Sequence, residues 1–431
     1  MTRRAFGSPP YAIAEEDERM LPFVHNLLPI RANPIGVDFG TETLRLAQVE
    51  RIGGEFRLIA AATAPVPAAA RDDNSVRFSF LKQTVRDLLT QGHFHGRRSI
   101  LSLPASRMVI QHLRLAPDDA SRRGALHVAL HDRLRTNVTD VLLRHLVAGQ
   151  VEENGREFDE IIAMAAQRSF VDEFLHAAAL AKLDVIAMNV EPNALVDCFS
   201  HVYRRRIDSQ LTSCYIDIGG AATRVVAARG SHILFARFLS IAGDSLNDAV
   251  ARELQTTRDA ARVLRIKKQM SAAAGSPETR GRMTPAADSA PARIDRGQLT
   301  SEICPALEPD PKQMELHRKI DEACNPPVEA LIAALRECQH DHEGTFPNSR
   351  IDRLIFIGGE SRDRLLCQRI ALALGLPGQV GDPLVRMGRI SDIAVESGID
   401  RRTPQPAWAV AIGLSMGPAA EAGEMTVNQV S

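Results

Sequence analysis

Two carboxylates stand where phosphate and a divalent cation could be gathered. In IGVDFGTETLR an apolar run delivers Asp38 to the end of a strand, and Gly40, Thr41 and Thr43 follow it. A hairpin of this composition turns several backbone N–H groups toward one point, which suits phosphate oxygens. Asp38 would hold hydrated Mg2+ rather than phosphate itself, because Mg2+ takes one or two carboxylates and keeps its waters. Arg45 closes the hairpin's second strand, within reach of a phosphate. CYIDIGGAATR repeats the device with Asp217 as a second metal-holding carboxylate, followed by Gly219, Gly220 and Thr223. Gly220, lacking a side chain, lets the backbone approach a ligand. Either stretch alone reads as an ordinary turn, but two of them, each opening a three-strand run, form a pattern.

Three further stretches bear on chemistry. Glu191 ends the strand DVIAMNV, and Pro192 starts a helix where proline is tolerated. With Asp217 it is a candidate catalytic carboxylate, placed to orient Mg2+ or an attacking water; a helix-starting glutamate favouring the dipole explains it equally well. In FIGGESRDRLL, Gly358 and Gly359 end a strand and Ser361 begins a helix, so a flat ring could lie on bare backbone. Ala409, Ala411 and Gly413 in AVAIGLSM are small residues at helical spacing, which suits close helix packing.

The elements that must position these residues form two similar runs. IGVDFG, LRLAQVE and FRLIAAATAPV read as three strands, and a helix is expected near Phe80 to Leu89. CYIDIGG, TRVVAARG and ILFARFLSI repeat the order, with helical patterns from Ser245 to about Lys268. Residues 1–33 read as an extension and residues 34–208 as a first lobe carrying an insertion at about 104–167. Residues 209–418 read as a second lobe containing a flexible loop at about 270–300, and 419–431 as a disordered tail. The stretch Ile303 to His340 reads as helical, broken at Pro305, around Pro309 and Pro311, and at Pro326-Pro327.

Composition narrows the function classes. A net charge of -1 without a basic block argues against a nucleic-acid surface. At 431 residues and 45% hydrophobic content the chain can bury two or three lobes. No apolar run reaches the roughly 20 residues of a membrane span, and the N-terminal residues lack the apolar stretch of a signal peptide. A soluble, cytoplasmic protein without direct membrane insertion is expected.

The order of phosphate hairpin, connecting helix, second phosphate hairpin, adenosine glycines and small-residue helix resembles the actin, heat-shock chaperone and sugar kinase superfamily. Further stretches resemble the PilM family of type IV pilus assembly proteins: LPASRMVIQHLRLAP, HDRLRTNVTDVLLRH, LDVIAMNVEPNAL, FARFLSIAGDSLNDAVAREL and RLIFIGGESRDRLLCQRIALALGLP. The resemblance covers about residues 34 to 418. It implies an α/β actin-like ATPase fold, two ribonuclease-H-like lobes around a nucleotide cleft with an extra subdomain in the first lobe. It also implies ATP and Mg2+ as cofactors, at most a weak ATPase activity, and a place at the inner membrane. The partner implied is the cytoplasmic N-terminal segment of an inner-membrane PilN-type protein, with self-association as a further possibility. Where the family carries Ala-Glu-x-x-Lys near the nucleoside, this chain reads Ala261, Arg262, Val263, Leu264, Arg265, so Arg262 and Arg265 stand at the nucleoside. VHNLLPIR (Val24 to Arg31) resembles the segment with which PilN-type partners dock, although a chance apolar segment packing on its own domain explains it more simply. Two other readings stand beside the scaffold: a pseudo-ATPase platform, and a sugar or acyl kinase, for which no general base is evident.

Overall fold

The computed structural model describes residues 32–117, 140–274, 310–389 and 398–417, with Gly124, Leu126 and Val128 between the first two stretches. The VHNLLPIR segment, nearly all of the N-terminal extension, most of the expected 270–300 loop, Pro305 and the tail lie outside the described residues.

The chain opens with an antiparallel meander, β1 (Ile35–Phe39), β2 (Thr43–Ile52) and β3 (Glu55–Pro65). The short helix α1 (Ala69–Asp72) precedes α2 (Asn74–Gln91). α2 starts well before the expected Phe80 because Asp73 caps it, accepting from the N–H of Ser75 at 2.7 Å. Its buried face is Leu81, Val85, Leu88 and Leu89. Next come β4 (Arg98–Leu103), β5 (Met108–Leu115), and the long hairpin β6 (Val141–Glu153) and β7 (Arg156–Gln167). Helix α3 (Arg168–Leu180), β8 (Asp184–Val190) and α4 (Glu191–Ser200) complete this half.

The second half begins with β9 (Thr212–Ile218), β10 (Thr223–Arg229) and β11 (His232–Leu239). Helices α5 (Gly243–Glu253), α6 (Arg258–Ala274) and α7 (Pro311–Thr345) follow. After them come β12 (Arg353–Ile357), α8 (Arg364–Leu374), β13 (Gly378–Val380), β14 (Gly388–Arg389) and α9 (Ala409–Met416).

Both large sheets share one plan. The first is ordered β14-β3-β2-β1-β4-β8 and the second β11-β10-β9-β12-β13. In each, three antiparallel strands are extended by two parallel ones beyond the first strand of the meander, which therefore lies inside the sheet. In the first sheet β14 adds a further parallel strand beside β3. β1 and β9 are therefore buried along their whole length, and the residues at their ends face the cleft between lobes. A third sheet, β5-β7-β6, rests against the second lobe. His112 joins the two, one ring nitrogen 3.1 Å from Glu160 Oε1 and the other 3.2 Å from the Ala236 carbonyl.

One helix departs from expectation. α7 runs unbroken through Pro326 and Pro327, where a break was read. An interior proline costs about 3 kcal/mol. Burying Ile320 before the prolines, and Val328, Leu331, Ile332, Leu335 and Cys338 after them, keeps both halves on one apolar seam and offsets that cost.

The lobes meet at two short helices. α9 is buried throughout and crosses α4 so closely that a Cβ on Gly413 would lie 1.8 Å from the Ala194 carbonyl oxygen. On its other side, a Cβ on Gly36 would lie 1.9 Å from the Ala411 carbonyl oxygen. Backbone meets backbone here, so neither contact can yield by a rotamer change. Gly413→Ala is therefore expected to lower stability by at least the roughly 1–3 kcal/mol of ordinary overpacking. A thermal melt with an unchanged midpoint would show that the crossing is looser than its backbone separation implies.

Candidate functional site

Asp38 is the penultimate residue of β1 and Asp217 of β9, and both are buried. Across each hairpin the register places an arginine opposite the aspartate: Arg45 opposite Asp38, and Arg224 opposite Asp217. Arg45 Nη1 lies 3.7 Å from Asp38 Oδ2, and Arg224 Nη1 donates to Asp217 Oδ2 at 2.9 Å. The two lobes thus carry the same acid–arginine pair at the same spacing.

Arg224 also crosses the cleft. Its Nε and Nη2 donate to the two oxygens of Glu191 at 2.5 and 2.7 Å, a bidentate pair. Glu191 stands at the first turn of α4 and also accepts from the Ala105 N–H at 3.1 Å. One guanidinium therefore joins the second-lobe hairpin to the helix that leaves the first lobe. Its role was missed in the sequence, although it follows Thr223 in the same motif.

The charges are coupled. Burial raises the Asp38 carboxyl above its ordinary range, opposed by Arg45 and Arg224 and reinforced by Asp217. Burial pushes Glu191 up to about 7, against the attraction of Arg224. Burial disfavours the Arg224 charge, but Asp217 and Glu191 outweigh it and hold the guanidinium firmly protonated.

Arg77 supports the first hairpin from beneath, donating to the Phe39 and Gly40 carbonyls at 2.5 and 3.0 Å with its guanidinium over the Phe39 ring. At the second hairpin, the Gly219 and Gly220 carbonyls accept from the first N–H groups of α5, Gly243 and Asp244. Thr223 turns away from the cleft and donates to the Ile241 carbonyl at 2.7 Å. Thr41 and Thr43 lie on the first hairpin, half-buried.

The expected adenosine side divides. Gly358 has φ 89°, and a Cβ there would meet Asp217 Oδ1 at 2.3 Å, so glycine is required by packing against β9. Above Gly359 nothing lies within 4 Å of where a Cβ would be. Ser361 is buried and donates to the Ile357 carbonyl at 2.5 Å. Arg265 is buried as well, donating to Glu360 at 2.6 Å and to Asn247 at 2.7 Å. Arg262 is partly exposed and pairs with Glu42 at 2.8 Å. Glu42, at the tip of the first hairpin, was not singled out in the sequence.

Two lobes of one duplicated topology, with an acidic hairpin from each facing a shared cleft, define an actin-like fold. Residues 36–275 match the model of the type IV pilus assembly protein PilM family, more than half of the chain. The chain belongs to that family. A solved PilM-PilN type IV pilus biogenesis complex shares the fold at a TM-score of 0.66 and 18% identity, covering 90% of this chain and 98% of that one. Weaker likenesses are to the ethanolamine utilization protein EutJ of Carboxydothermus hydrogenoformans, at 14% identity, 90% of each chain and TM-score 0.47. MreB5 of Spiroplasma citri bound to ADP follows at 11% identity, 89% of this chain, 95% of that one and TM-score 0.41.

The raised Glu191 sets a pH dependence. A carboxyl whose folded value lies near 7 and whose ordinary value is 4.5 favours folding below 4.5, and loses that contribution as pH rises through about 7. The stability of the native chain relative to Glu191→Gln should therefore fall between those pH values, by at most about 3 kcal/mol. Denaturant melts at pH 5 and pH 8 read it, and a difference independent of pH would contradict it.

Proposed function

We propose that this PilM-family protein is a cytoplasmic ATP-binding scaffold of type IV pilus assembly. In this reading it docks the cytoplasmic N-terminal segment of an inner-membrane PilN-type protein. Family membership supports the pilus role, and the solved neighbour is itself a PilM-PilN complex. Among the described residues no helix is long and apolar enough to cross a membrane, so a membrane partner is the physical route to the inner face.

The observation that carries the nucleotide reading is the convergence of Asp38 and Asp217 from separate lobes. They are hard oxygen donors on two glycine hairpins, with the cationic side chains Arg45 and Arg224 beside them. Among the described residues no three His, Cys, Asp or Glu side chains group to hold a metal. Mg2+ with phosphate oxygens and waters does not need three, so the donor set fits. Asp38 and Asp217 would hold the cation, which neutralises charge on the phosphates when bound. The bare face of Gly359 leaves room for a base. Glu191 and Asp217 remain the proposed catalytic carboxylates of any turnover, and here both are held by Arg224. That internally paired cluster also favours the second reading, a platform that works without nucleotide.

Calorimetric titration separates the two. Mg2+-dependent ATP binding is expected, weakened roughly tenfold or more by Asp38→Ala and by Asp217→Ala, as for loss of a charged binding group. ATP should also change the affinity for a PilN-type N-terminal peptide, because only a differential affinity for two lobe arrangements can link the sites. Peptide binding with no ATP binding would establish the platform instead.

A further inference from the structure

The carboxylate of Glu42 is an anion already lying between the two phosphate hairpins. Its side chain crosses from the first hairpin onto the second, so closely that a Cβ on Gly220 would stand 2.7 Å from Glu42 Cγ. Two arginines from opposite sides of the cleft hold it: Arg71 on α1 at 3.1 Å and Arg262 on α6 at 2.8 Å. Arg71 in turn pairs with Asp259 on α6 at 2.7 Å.

The fit is poor for a permanent structural ion pair. Neither carboxylate oxygen of Glu42 has a hydrogen bond of acceptable geometry, and both are buried; the same is true of Arg71 Nε. A buried charge held by attraction alone carries a desolvation cost that hydrogen bonds would normally offset. Burial accordingly raises the Glu42 carboxyl, outweighing Arg262 and Arg71. A phosphate offers more acceptor oxygens and is free to turn them onto both guanidinium forks. The Glu42 carboxylate, tethered to the hairpin and wedged against Gly220, meets them without a hydrogen bond of acceptable geometry.

We infer that Arg71 and Arg262 form an anion site for the terminal phosphate of a polyphosphate ligand, and that Glu42 fills it in the ligand-free protein as a built-in competitor. Ligand entry swings Glu42 out. That exchange frees the first-hairpin tip from Arg262 on the second lobe and puts the phosphate between Arg71 and Arg262 in its place, beside the Arg71–Asp259 pair. Occupancy of the site thereby alters how the lobes are joined. The proposal rests on the nucleotide reading only for what carries the phosphate; the same site would take inorganic tripolyphosphate.

Calorimetry on the full chain with Mg-tripolyphosphate and with MgATP tests it, using the native protein, Glu42→Gln and Glu42→Ala, each checked for an intact thermal melt. Removing the competing charge should raise tripolyphosphate affinity roughly tenfold or more, since like charges brought together cost several kcal/mol. Adding Arg71→Gln or Arg262→Gln to Glu42→Gln should abolish the gain. A gain for both ligands supports the site and the nucleotide reading together. A gain for tripolyphosphate without any ATP binding supports the site and overturns the nucleotide reading. Unchanged or weaker tripolyphosphate binding in both Glu42 variants overturns the inference, even if the native protein binds ATP.

Discussion

The guanidinium of Arg224 is shared between Asp217, across its own hairpin, and Glu191, across the cleft. Three carboxylates meet here, counting Asp38, in a place where burial raises two of them. Without a fixed cation among them, mutual repulsion and desolvation would force protonation or open the cleft. Arg224 supplies that cation as part of the chain and ties the second hairpin to the start of α4. Arg45 makes a looser version of the same pair in the first lobe. The asymmetry matters for binding: Asp38 is the less committed carboxylate, Asp217 the more committed one.

A polar cluster of this kind holds only if its supports do not move. The α4–α9 crossing gives that rigidity, because Gly413 and Gly36 let backbones touch on both sides of α9. Glu191 is the first residue of α4, so its carboxylate inherits the position of that helix. The lobe junction and the charge cluster thus share one helix, α4. Change at the cluster has a direct mechanical path to the relative placement of the lobes, and the Glu42 bridge lies on the outer edge of the same cleft.

Much of this was legible in the chain. The two meanders, their strand-end aspartates and the small-residue helix follow from period-two apolar runs, glycine turns and Ala/Gly spacing, which are local signals. Arg224 was missed because its meaning lies in cross-strand register. Yet Asp38 to Arg45 and Asp217 to Arg224 are the same spacing, and comparing the two hairpins residue by residue would have shown it. Glu42, Arg71 and Glu360 were beyond local reading, since their partners come from elsewhere in the fold. The Pro326-Pro327 break was overcalled because a local propensity was not weighed against the apolar seam that continues on both sides.

The central claim is that Arg224 and Glu191 are retained as a pair, each making the other tolerable in the buried cleft. A double-mutant cycle of Arg224→Met, Glu191→Met and the double variant, followed by denaturant unfolding, measures this most directly. Arg224→Met leaves Glu191 and Asp217 buried without their cation and is expected to cost about 3–5 kcal/mol. Glu191→Met leaves Arg224 with Asp217 alone and should cost less, and the double variant should cost less than the sum by about 2 kcal/mol or more. Additive costs would contradict the claim and assign the two side chains independent roles.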